Sequence, residues 1–458
     1  MDDVDVLVIG GGPAGFVAAQ VVSMLGGKVR LVEKERVGGI CPNWGCIPMC
    51  FMDHCAEVIR TVKKAGNYGI NTGEARIDYA KLMSEKDKVV QGVVAGMEAR
   101  LQATGVPVVT GSAKLASPNQ VEITFDNGKT ETVRAEKIII ATGSTARRYD
   151  IPGAYSPGVL TTKELLGLDD LPKSLAIIGR SVTALELATV WGHLGSEVSL
   201  IARRPQLLPN EDEEIGAFLH KNLEEEGVHV YAGVDIEGID DSEGGKAVLI
   251  SDGGGKKKVA AQFVVFALGQ QPLVEGLGLE NAGVAATAEG IKTNERLETS
   301  VKGIYATGDV TGEMMLASVA MVQGRIAGQN AMGDNAAIDY RLVPRSVRTI
   351  PQVATVGITE GEAKARGLDI KVGRVPLATN PKSTIIGEGE GFIKIIIEAA
   401  SGGILGVHIV GPQASELIHE AVILMKMGGT VRDIIATIHG HPCLIETMQR
   451  AAMSMMGT

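Results

Sequence analysis

The chain opens with apolar and helical segments in an order that is typical of a nucleotide-binding unit. An apolar run from Val4 ends in the glycine-rich turn Gly10–Gly15, and a helical pattern follows over residues 16–25. A second apolar run, 28–32, ends at Glu33. A strand, a glycine turn, a helix, a second strand and a terminal acid form the βαβ fingerprint of a dinucleotide site.

The same pattern returns further along the chain. An apolar run over 174–178 leads to Gly179, and a helical pattern and a second strand follow. Gly10 precedes Glu33 by 23 positions, and Gly179 precedes Ala202 by the same number. One such glycine turn is a weak signal, but two copies with equal spacing predict two dinucleotide sites rather than two unrelated turns.

The remaining segments predict further strands and a block of different character. A helical stretch over about 75–103 separates the two units, and apolar strands run into the motifs at 141–143 and 307–309. From about 340 the pattern predicts mixed strands and helices, at 352–357, 391–398, 404–410, 413–427 and 431–437. We therefore predict an α/β chain of two Rossmann-like domains plus a C-terminal α+β domain suited to assembly.

Composition narrows the class of protein. A length of 458 residues indicates about three domains. The formal net charge is −10 without a basic stripe, which argues against nucleic-acid binding. No apolar run is long enough to span a bilayer, and the acidic start Met1-Asp2-Asp3-Val4 is neither a signal nor a transit peptide. We expect a cytoplasmic protein without a membrane or nucleic-acid partner.

Four of the five cysteines lie within residues 41–55, which points to catalysis or metal binding rather than a secreted disulfide framework. Cys41 and Cys46 can close a small disulfide if Cys46 opens a helix, whose N-terminus would stabilise a thiolate. A zinc site is the alternative. The chain lacks the distant second pair of ligands that zinc sites usually have, and the helical phases of Cys50 and Cys55 diverge. We therefore predict no metal site.

Taken together, these motifs resemble the pyridine nucleotide-disulfide oxidoreductases, and most closely the dihydrolipoamide dehydrogenases. The resemblance covers essentially the whole chain. It is carried by both dinucleotide units, the cysteine pair and the segments 141–143, 306–309, 404–412 and 439–446. It implies an enzyme that passes electrons between NAD(P)(H), FAD, the Cys41–Cys46 disulfide and a lipoyl-type dithiol.

The resemblance also implies a domain arrangement and a homodimer. The FAD-binding domain is expected at 1–148 with a second, central part at 271–338. The NAD(P)-binding domain is expected at 149–270, and the dimerisation domain at 339–458. His441 and Glu446 are expected to form an acid–base pair, with His441 acting in trans on the other subunit.

Roles at the cofactors follow from the same resemblance. Cys46 is expected against the isoalloxazine as the charge-transfer thiol, and Cys41 is expected to attack the substrate. Glu33 is expected to hold the adenosine ribose and Asp309 the ribityl or phosphate end. The positions assigned to FAD are Gly10, Gly12, Pro13, Ala14, Gly15, Glu33, Gly39, Ala113, Thr142, Gly143, Asp309 and Ala317. Those assigned to the second unit are Gly179, Ser181, Glu186, Arg203, Arg204 and Gly269.

Three features of the sequence depart from the family pattern. Met49 and Cys50 occupy the place of a lysine that most members carry beside the flavin, so Glu186 is expected near the ring without that lysine. Ser181 stands where the backbone should approach the second pyrophosphate most closely, and Gln270 stands where the family often has Arg.

The end of the second unit favours NADPH over NADH. Ala202 replaces the acid of the first unit, and Arg203 and Arg204 follow directly. Guanidinium groups bind a 2′-phosphate through paired donors, whereas a carboxylate would repel it. Ala184, at the third glycine position, also resembles NADPH-using relatives. The alternative is that both arginines are solvated surface charges.

Three functions remain open on the sequence alone. The leading one is a dihydrolipoamide dehydrogenase-like enzyme acting on a dithiol or disulfide carried by another protein. The second is a reductase of a small disulfide or persulfide, with Cys50 and Cys55 relaying electrons. The third is a flavin-bound sensor or binding protein with low turnover, against which the retained Cys41, Cys46, His441 and Glu446 argue.

Overall fold

The computed structural model describes residues 3–456, so Met1 and Asp2 of the acidic start lie outside the described residues. The first part of the chain alternates strands and helices as the sequence predicts. Its elements are β1 (Asp3–Ile9), α1 (Pro13–Met24), β2 (Val29–Glu33), α2 (Ile40–Trp44), α3 (Cys46–Lys64), α4 (Tyr79–Ala103), β3 (Val108–Thr110), β4 (Ser112–Ser117), β5 (Gln120–Thr124), β6 (Thr130–Ile140) and β7 (Ser144–Ala146).

A mixed sheet organises this part, with the strand order β3-β2-β1-β6-β5-β4. β1 runs parallel to both β2 and β6, so their carboxyl ends meet at one edge. The turn after β1 requires glycine, because Gly10 has a φ of +101° and a Cβ there would lie 2.2 Å from the carbonyl oxygen of Ala141. The first glycine turn therefore lies at the edge where dinucleotides bind in such sheets.

The second unit is a parallel sheet with a meander beside it. Its elements are β8 (Val159–Thr161), α5 (Thr162–Leu165), β9 (Ser174–Ile178), α6 (Val182–Leu194), β10 (Glu197–Ala202), α7 (Glu213–Glu225), β11 (His229–Ala232), β12 (Asp235–Ser242), β13 (Gly245–Asp252), β14 (Gly255–Ala261) and β15 (Phe263–Phe266). The parallel sheet has the order β11-β10-β9-β15-β8, and β12-β13-β14 form the antiparallel meander. β9 and β10 repeat the roles of β1 and β2.

The chain then returns to the first sheet through β16 (Gln270–Pro272), β17 (Ala286–Thr287), β18 (Gly290–Ile291), β19 (Ile304–Ala306) and α8 (Ala317–Ala331). β16 pairs with β7, so the outgoing and returning connections lie side by side, and β19 adds to β6. α8 packs closely on α1, because Gly324 leaves only enough room for the Ala14 carbonyl, 2.1 Å from a Cβ built there.

The C-terminal part is an antiparallel sheet covered by helices. Its elements are β20 (Arg345–Val347), β21 (Gln352–Gly357), α9 (Glu360–Ala365), β22 (Ile370–Pro376), α10 (Pro381–Ile385), β23 (Phe392–Glu398), β24 (Ile404–Gly411), α11 (Ala414–Lys426), α12 (Val431–Ala436) and α13 (Glu446–Met453). The order is β20-β21-β24-β23-β22. Short 3-10 helices occur at Ala65–Tyr68, Leu279–Ala282, Gly308–Thr311 and Leu377–Thr379.

The C-terminal part also exposes large apolar side chains. Ile438 is 97% exposed, Met427 80% and Ile423 65%. A group of such side chains is typical of a surface that another chain covers. Within residues 3–456, no helix combines the length and apolar character needed to cross a membrane.

Candidate active site

The cysteine pair lies where α2 and α3 meet, with only Gly45 between the two helices. Cys41 lies on α2, and Cys46 is the first residue of α3, as the sequence prediction required. Asn43 holds the segment in place, because its Nδ2 donates to the carbonyl oxygens of Val37 at 3.0 Å and Gly39 at 2.8 Å. The pair is thus fixed beside the first glycine turn, with Cys46 at the positive end of a long helix.

The two thiols differ in their acidity. A hydrogen bond from the Cys41 side chain, supported by the charge of Arg348, lowers the pKa of Cys46 in spite of its partial desolvation. Donating that bond raises the pKa of Cys41, and burial raises it further. Cys46 is exposed and Cys41 is half-buried. Within the reduced pair, Cys46 is therefore the sulfur that loses its proton more readily.

The first glycine turn forms a cradle that suits a pyrophosphate. A Cβ at Gly15 would lie 1.9 Å from the Gly10 carbonyl oxygen, so only glycine permits this tight packing. A Cβ at Gly12 would meet no protein atom closer than 4.0 Å, so the start of α1 is open to a ligand. Pro13 then opens the helix without requiring an N–H partner. The open backbone N–H groups fit the pyrophosphate of FAD.

A cleft lies beside the end of β2. Its volume is about 570 Å³, and Glu33, Glu35, Arg36 and Val37 line one side. Glu33 Oε2 accepts from the Gly11 N–H at 2.6 Å, which fixes the carboxylate at the edge of the cleft. The shape and the acid both fit an adenosine whose ribose hydroxyls would bind Glu33.

The motif after β19 lies near Cys41. Ser144 Oγ donates to Asp309 at 2.6 Å, and burial raises the pKa of Asp309. Asp309 is close enough to Cys41 for its charge to raise the pKa of that thiol. Thr307 Oγ1 is buried without a hydrogen-bond partner among the residues described. These polar side chains fit a cofactor that extends from Glu33 to the cysteine pair.

The other FAD positions fall into two groups. Gly39, Thr142 and Gly143 lie on the turns around the cradle, and Ala317 opens α8. A Cβ at Gly39 would lie 3.0 Å from Gly12 Cα, so these two turns pack together. Ala113 instead lies on β4, and its side chain packs against the apolar core of the first sheet. Only its backbone could therefore contact a cofactor.

The second glycine turn repeats the first with one difference. A Cβ at Gly179 would lie 2.4 Å from the Ala267 carbonyl oxygen and 2.8 Å from Ala184 Cβ, so Ala184 fits only against glycine. Ser181 is the N-cap of α6, as Gly12 is the N-cap of α1, and the Ser181 hydroxyl makes no capping hydrogen bond. Gly269, with a φ of +82°, marks the nearby turn into β16.

The arginines follow β10 at the carboxyl edge of the second sheet. Ala202 is the last residue of β10, and Arg203 and Arg204 are both exposed. The Arg203 guanidinium stacks on Tyr149, 3.7 Å from the ring centroid. This stacking restricts the side chain while its donors remain available.

Glu186 has a cation beside it, although not the lysine of the family. Its Oε1 accepts from the backbone N–H of Arg348 at 2.8 Å. Burial raises the pKa of Glu186, and the Arg348 charge opposes that increase. Burial also raises the pKa of Asp53 to about 7, with Arg348 again opposing. Sequence reasoning missed both Asp53 and Arg348.

Cys50 and Cys55 have different surroundings. Cys55 packs against the apolar cluster between α3 and α6, and burial alone raises its pKa. Cys50, in contrast, lies close enough to Cys46 for that charge to raise its pKa. Of these two cysteines, Cys50 is therefore the one whose surroundings include the redox pair. Among residues 3–456, no group of three or more His, Cys, Asp or Glu side chains could hold a metal ion.

His441 and Glu446 form the predicted hydrogen-bonded pair. Nδ1 of His441 lies 2.9 Å from Oε1 of Glu446, and Oε2 accepts from the Cys443 N–H at 2.8 Å. The hydrogen bond from the Cys443 N–H lowers the pKa of Glu446 most, and the hydrogen bond with His441 lowers it further. The His441 side chain is 70% exposed. No contact among the described residues joins it to Cys41 or Cys46 of the same chain.

Comparison with known proteins identifies relatives of this arrangement. A pyridine nucleotide-disulphide oxidoreductase family model matches residues 4–324, and the dimerisation domain of the same family matches 343–452. A dihydrolipoyl dehydrogenase of Thermus scotoductus is 39% identical over 99% of this chain and 98% of its own.

Two solved structures have the same fold. LpdA of Mycobacterium tuberculosis is 27% identical, with a TM-score of 0.91 over 100% of both chains. The Cu(II) complex of RclA, described as an HOCl-induced flavoprotein disulfide reductase from Escherichia coli, is 26% identical, with a TM-score of 0.89 over 99% of this chain and 100% of its own.

Proposed function

Since this chain belongs to the pyridine nucleotide-disulphide oxidoreductase family, we propose that its substrate is a lipoyl-type dithiol or disulfide carried by another protein. The chain is an FAD-dependent disulfide oxidoreductase of the dihydrolipoamide dehydrogenase type, and its dimerisation domain makes it a homodimer. The observation that carries the proposal is the similarity to a dihydrolipoyl dehydrogenase over 99% of the chain, together with the Cys41–Cys46 pair at the start of α3.

The unequal acidity of Cys41 and Cys46 assigns a role to each sulfur. A substrate thiolate attacks Cys41 Sγ of the oxidised pair, forms a mixed disulfide and releases Cys46 as the thiolate. The second substrate thiol then attacks the substrate sulfur of the mixed disulfide, which closes the substrate disulfide and releases Cys41. FAD, when bound, supplies the two-electron carrier between this dithiol and the nicotinamide. The reverse direction uses the same steps.

Cys41 needs a base, because its raised pKa keeps it protonated near neutral pH. Glu446 orients the His441 imidazole, whose free nitrogen can take and return that proton. We place His441 in the active site of the other subunit. Its exposure and the exposed apolar surface of the same part of the chain support this placement. The crowding of four of the five cysteines into residues 41–55, rather than an even number spread along the chain, supports the reducing cytoplasm as the compartment.

A steady-state comparison of disulfide substrates tests the proposed class. We expect kcat/KM for lipoamide to exceed that for glutathione disulfide, and a lipoyl-bearing protein domain to do better than free lipoamide. Glutathione disulfide or a persulfide turning over faster than lipoamide would replace this proposal with that of a small-molecule reductase. Slow turnover of every disulfide, with FAD bound, would favour a sensor.

We propose NADPH as the preferred nicotinamide, and expect the parent enzyme to show a higher kcat/KM with NADPH than with NADH. The Arg203→Ala, Arg204→Ala double variant should lose or reverse this preference. A hydrogen bond to a charged group contributes about 1.5–3 kcal/mol, so the NADPH value should fall about tenfold or more while the NADH value changes little.

The Lys257→Ala, Lys258→Ala variant is the matched control, because it removes two exposed cations from β14 in the same domain. It should keep the parent preference. A parent enzyme that prefers NADH would show that Arg203 and Arg204 are solvated surface charges.

A further inference from the structure

One face of α3 carries three polar side chains at helical spacing. Cys46, Cys50 and Asp53 are separated by four and then three residues, so they lie along one side of the helix. α3 packs against α6, which contributes Glu186. Asp53 is only 6% exposed, and its Oδ1 has no hydrogen-bond partner among the residues described. A polar strip therefore begins at the redox thiol and continues into the protein.

Arg348 reaches this strip from the C-terminal part of the chain. It follows β20 directly, and its backbone N–H donates to Glu186 at 2.8 Å, which fixes where the side chain begins. Its half-buried guanidinium makes no ion pair or hydrogen bond with any residue in the described range 3–456. It is nevertheless close enough to Cys46, Cys50, Asp53 and Glu186 for its charge to favour the ionised form of each, although burial raises the pKa of all but Cys46.

Neither Glu186 nor Asp53 forms an ion pair with this guanidinium. Burial raises the pKa of Glu186 and of Asp53, which disfavours their charged forms. Arg345, three positions earlier, shows the usual arrangement, because Glu211 pairs with it at 2.8 Å. A half-buried guanidinium without a paired carboxylate favours a new negative charge nearby. The sulfur of Cys46 is the group that gains such a charge when the disulfide is reduced.

We propose that Arg348 supplies the positive charge that holds Cys46 as a thiolate beside the flavin, in place of the lysine absent at position 50. The inference rests on the proposed role of Cys46 and extends it. Arg348 is a positioning residue, because it acts on the reacting sulfur through its charge. Since Arg348 belongs to the C-terminal part, the thiolate depends on the docking of that part against α3 and α6.

The test titrates the thiolate in the flavin-loaded Cys41→Ser protein, in which Cys46 has no disulfide partner. The long-wavelength flavin absorbance is followed against pH, and iodoacetamide labelling of the Cys46 peptide is followed by mass spectrometry. Adding Arg348→Met should raise the midpoint of both titrations by about 1 unit or more, the usual effect of a nearby opposite charge. Arg348→Lys should move it much less.

Arg345→Met is the matched control, since it removes a cation of β20 that Glu211 already neutralises. It should leave the midpoint unchanged. Adding Cys50→Lys to Arg348→Met should return the midpoint toward the parent value, because it restores a cation one turn from Cys46. Arg348→Gln repeats the test if the Met variant loses flavin.

An unchanged midpoint in flavin-loaded Arg348→Met or Arg348→Gln would overturn the inference. Equal shifts in Arg348→Met and Arg345→Met would overturn it too, because a general disturbance of β20 would then be the cause. Neither titration uses a disulfide substrate. A wrong substrate class would therefore leave these results intact, whereas the lipoamide assay would fail.

Discussion

The Cys41→Ser variant is expected to retain FAD and to lose disulfide reduction, by about 10³-fold or more as for other removed nucleophiles. The reason is that Cys41 carries the attack on the substrate, while Cys46 at the start of α3 holds the charge. A lone Cys46 thiolate should donate charge to the flavin, so a long-wavelength absorbance band should appear without any reductant.

Cys55→Ser is the control for this variant. It removes a thiol from the same helix, but one that packs against the apolar cluster between α3 and α6. Its disulfide reduction and its flavin spectrum should match those of the parent. Disulfide turnover at the parent rate in Cys41→Ser would exclude Cys41 as the attacking sulfur. Absence of the long-wavelength band would exclude Cys46 as the charge-transfer thiol.

The parts of the fold that depend on local pattern were predictable. The two glycine turns and their strands follow from apolar runs and fixed spacing, and β1, β2, β9 and β10 are where the pattern indicates. The strands at 352–357, 391–398 and 404–410 are confirmed as β21, β23 and β24, within one residue. The helices predicted at 413–427 and 431–437 are confirmed as α11 and α12.

The elements that were not predicted lack a local signal. β20 is three residues long, and β22 (Ile370–Pro376) mixes charged and exposed positions, so neither has a clear apolar pattern. β22 forms because β23 beside it is almost fully buried and offers its backbone for pairing. Tertiary packing, rather than propensity, decides such edge strands.

The same distinction applies to the active site. The spacing of Cys41 and Cys46, and of His441 and Glu446, is local, so the sequence could predict both pairs. Arg348 lies far along the chain from Cys46 and approaches it only through the packing of β20 near α6. The Asp53 position did carry a usable signal, because it continues the helical face of Cys46 and Cys50.

Replacing His441 with Ala should slow thiol–disulfide exchange by about 10²- to 10⁴-fold, the range of general acid–base catalysis. Cys41 is the thiol that donates to Cys46, so it needs a proton acceptor before it can act as a nucleophile. Reduction of the flavin by the nicotinamide does not use that proton and should change much less. Stopped-flow measurement of the two half-reactions separates these effects.

His220→Ala provides the control, since His220 forms a similar pair with Glu224 at 3.7 Å on the surface of α7. It should leave both half-reactions at the parent rates. Equal losses in both half-reactions of His441→Ala would instead indicate a structural role for the histidine.

The placement of His441 in the other subunit can be tested by mixing two inactive variants. Cys41→Ser and His441→Ala homodimers are dissociated together and allowed to reassociate. If the site combines Cys41 of one chain with His441 of the other, each heterodimer has one intact site. Random pairing then restores about a quarter of the parent sites. If both residues of a site came from one chain, every site would lack one of them, and the mixture would stay inactive.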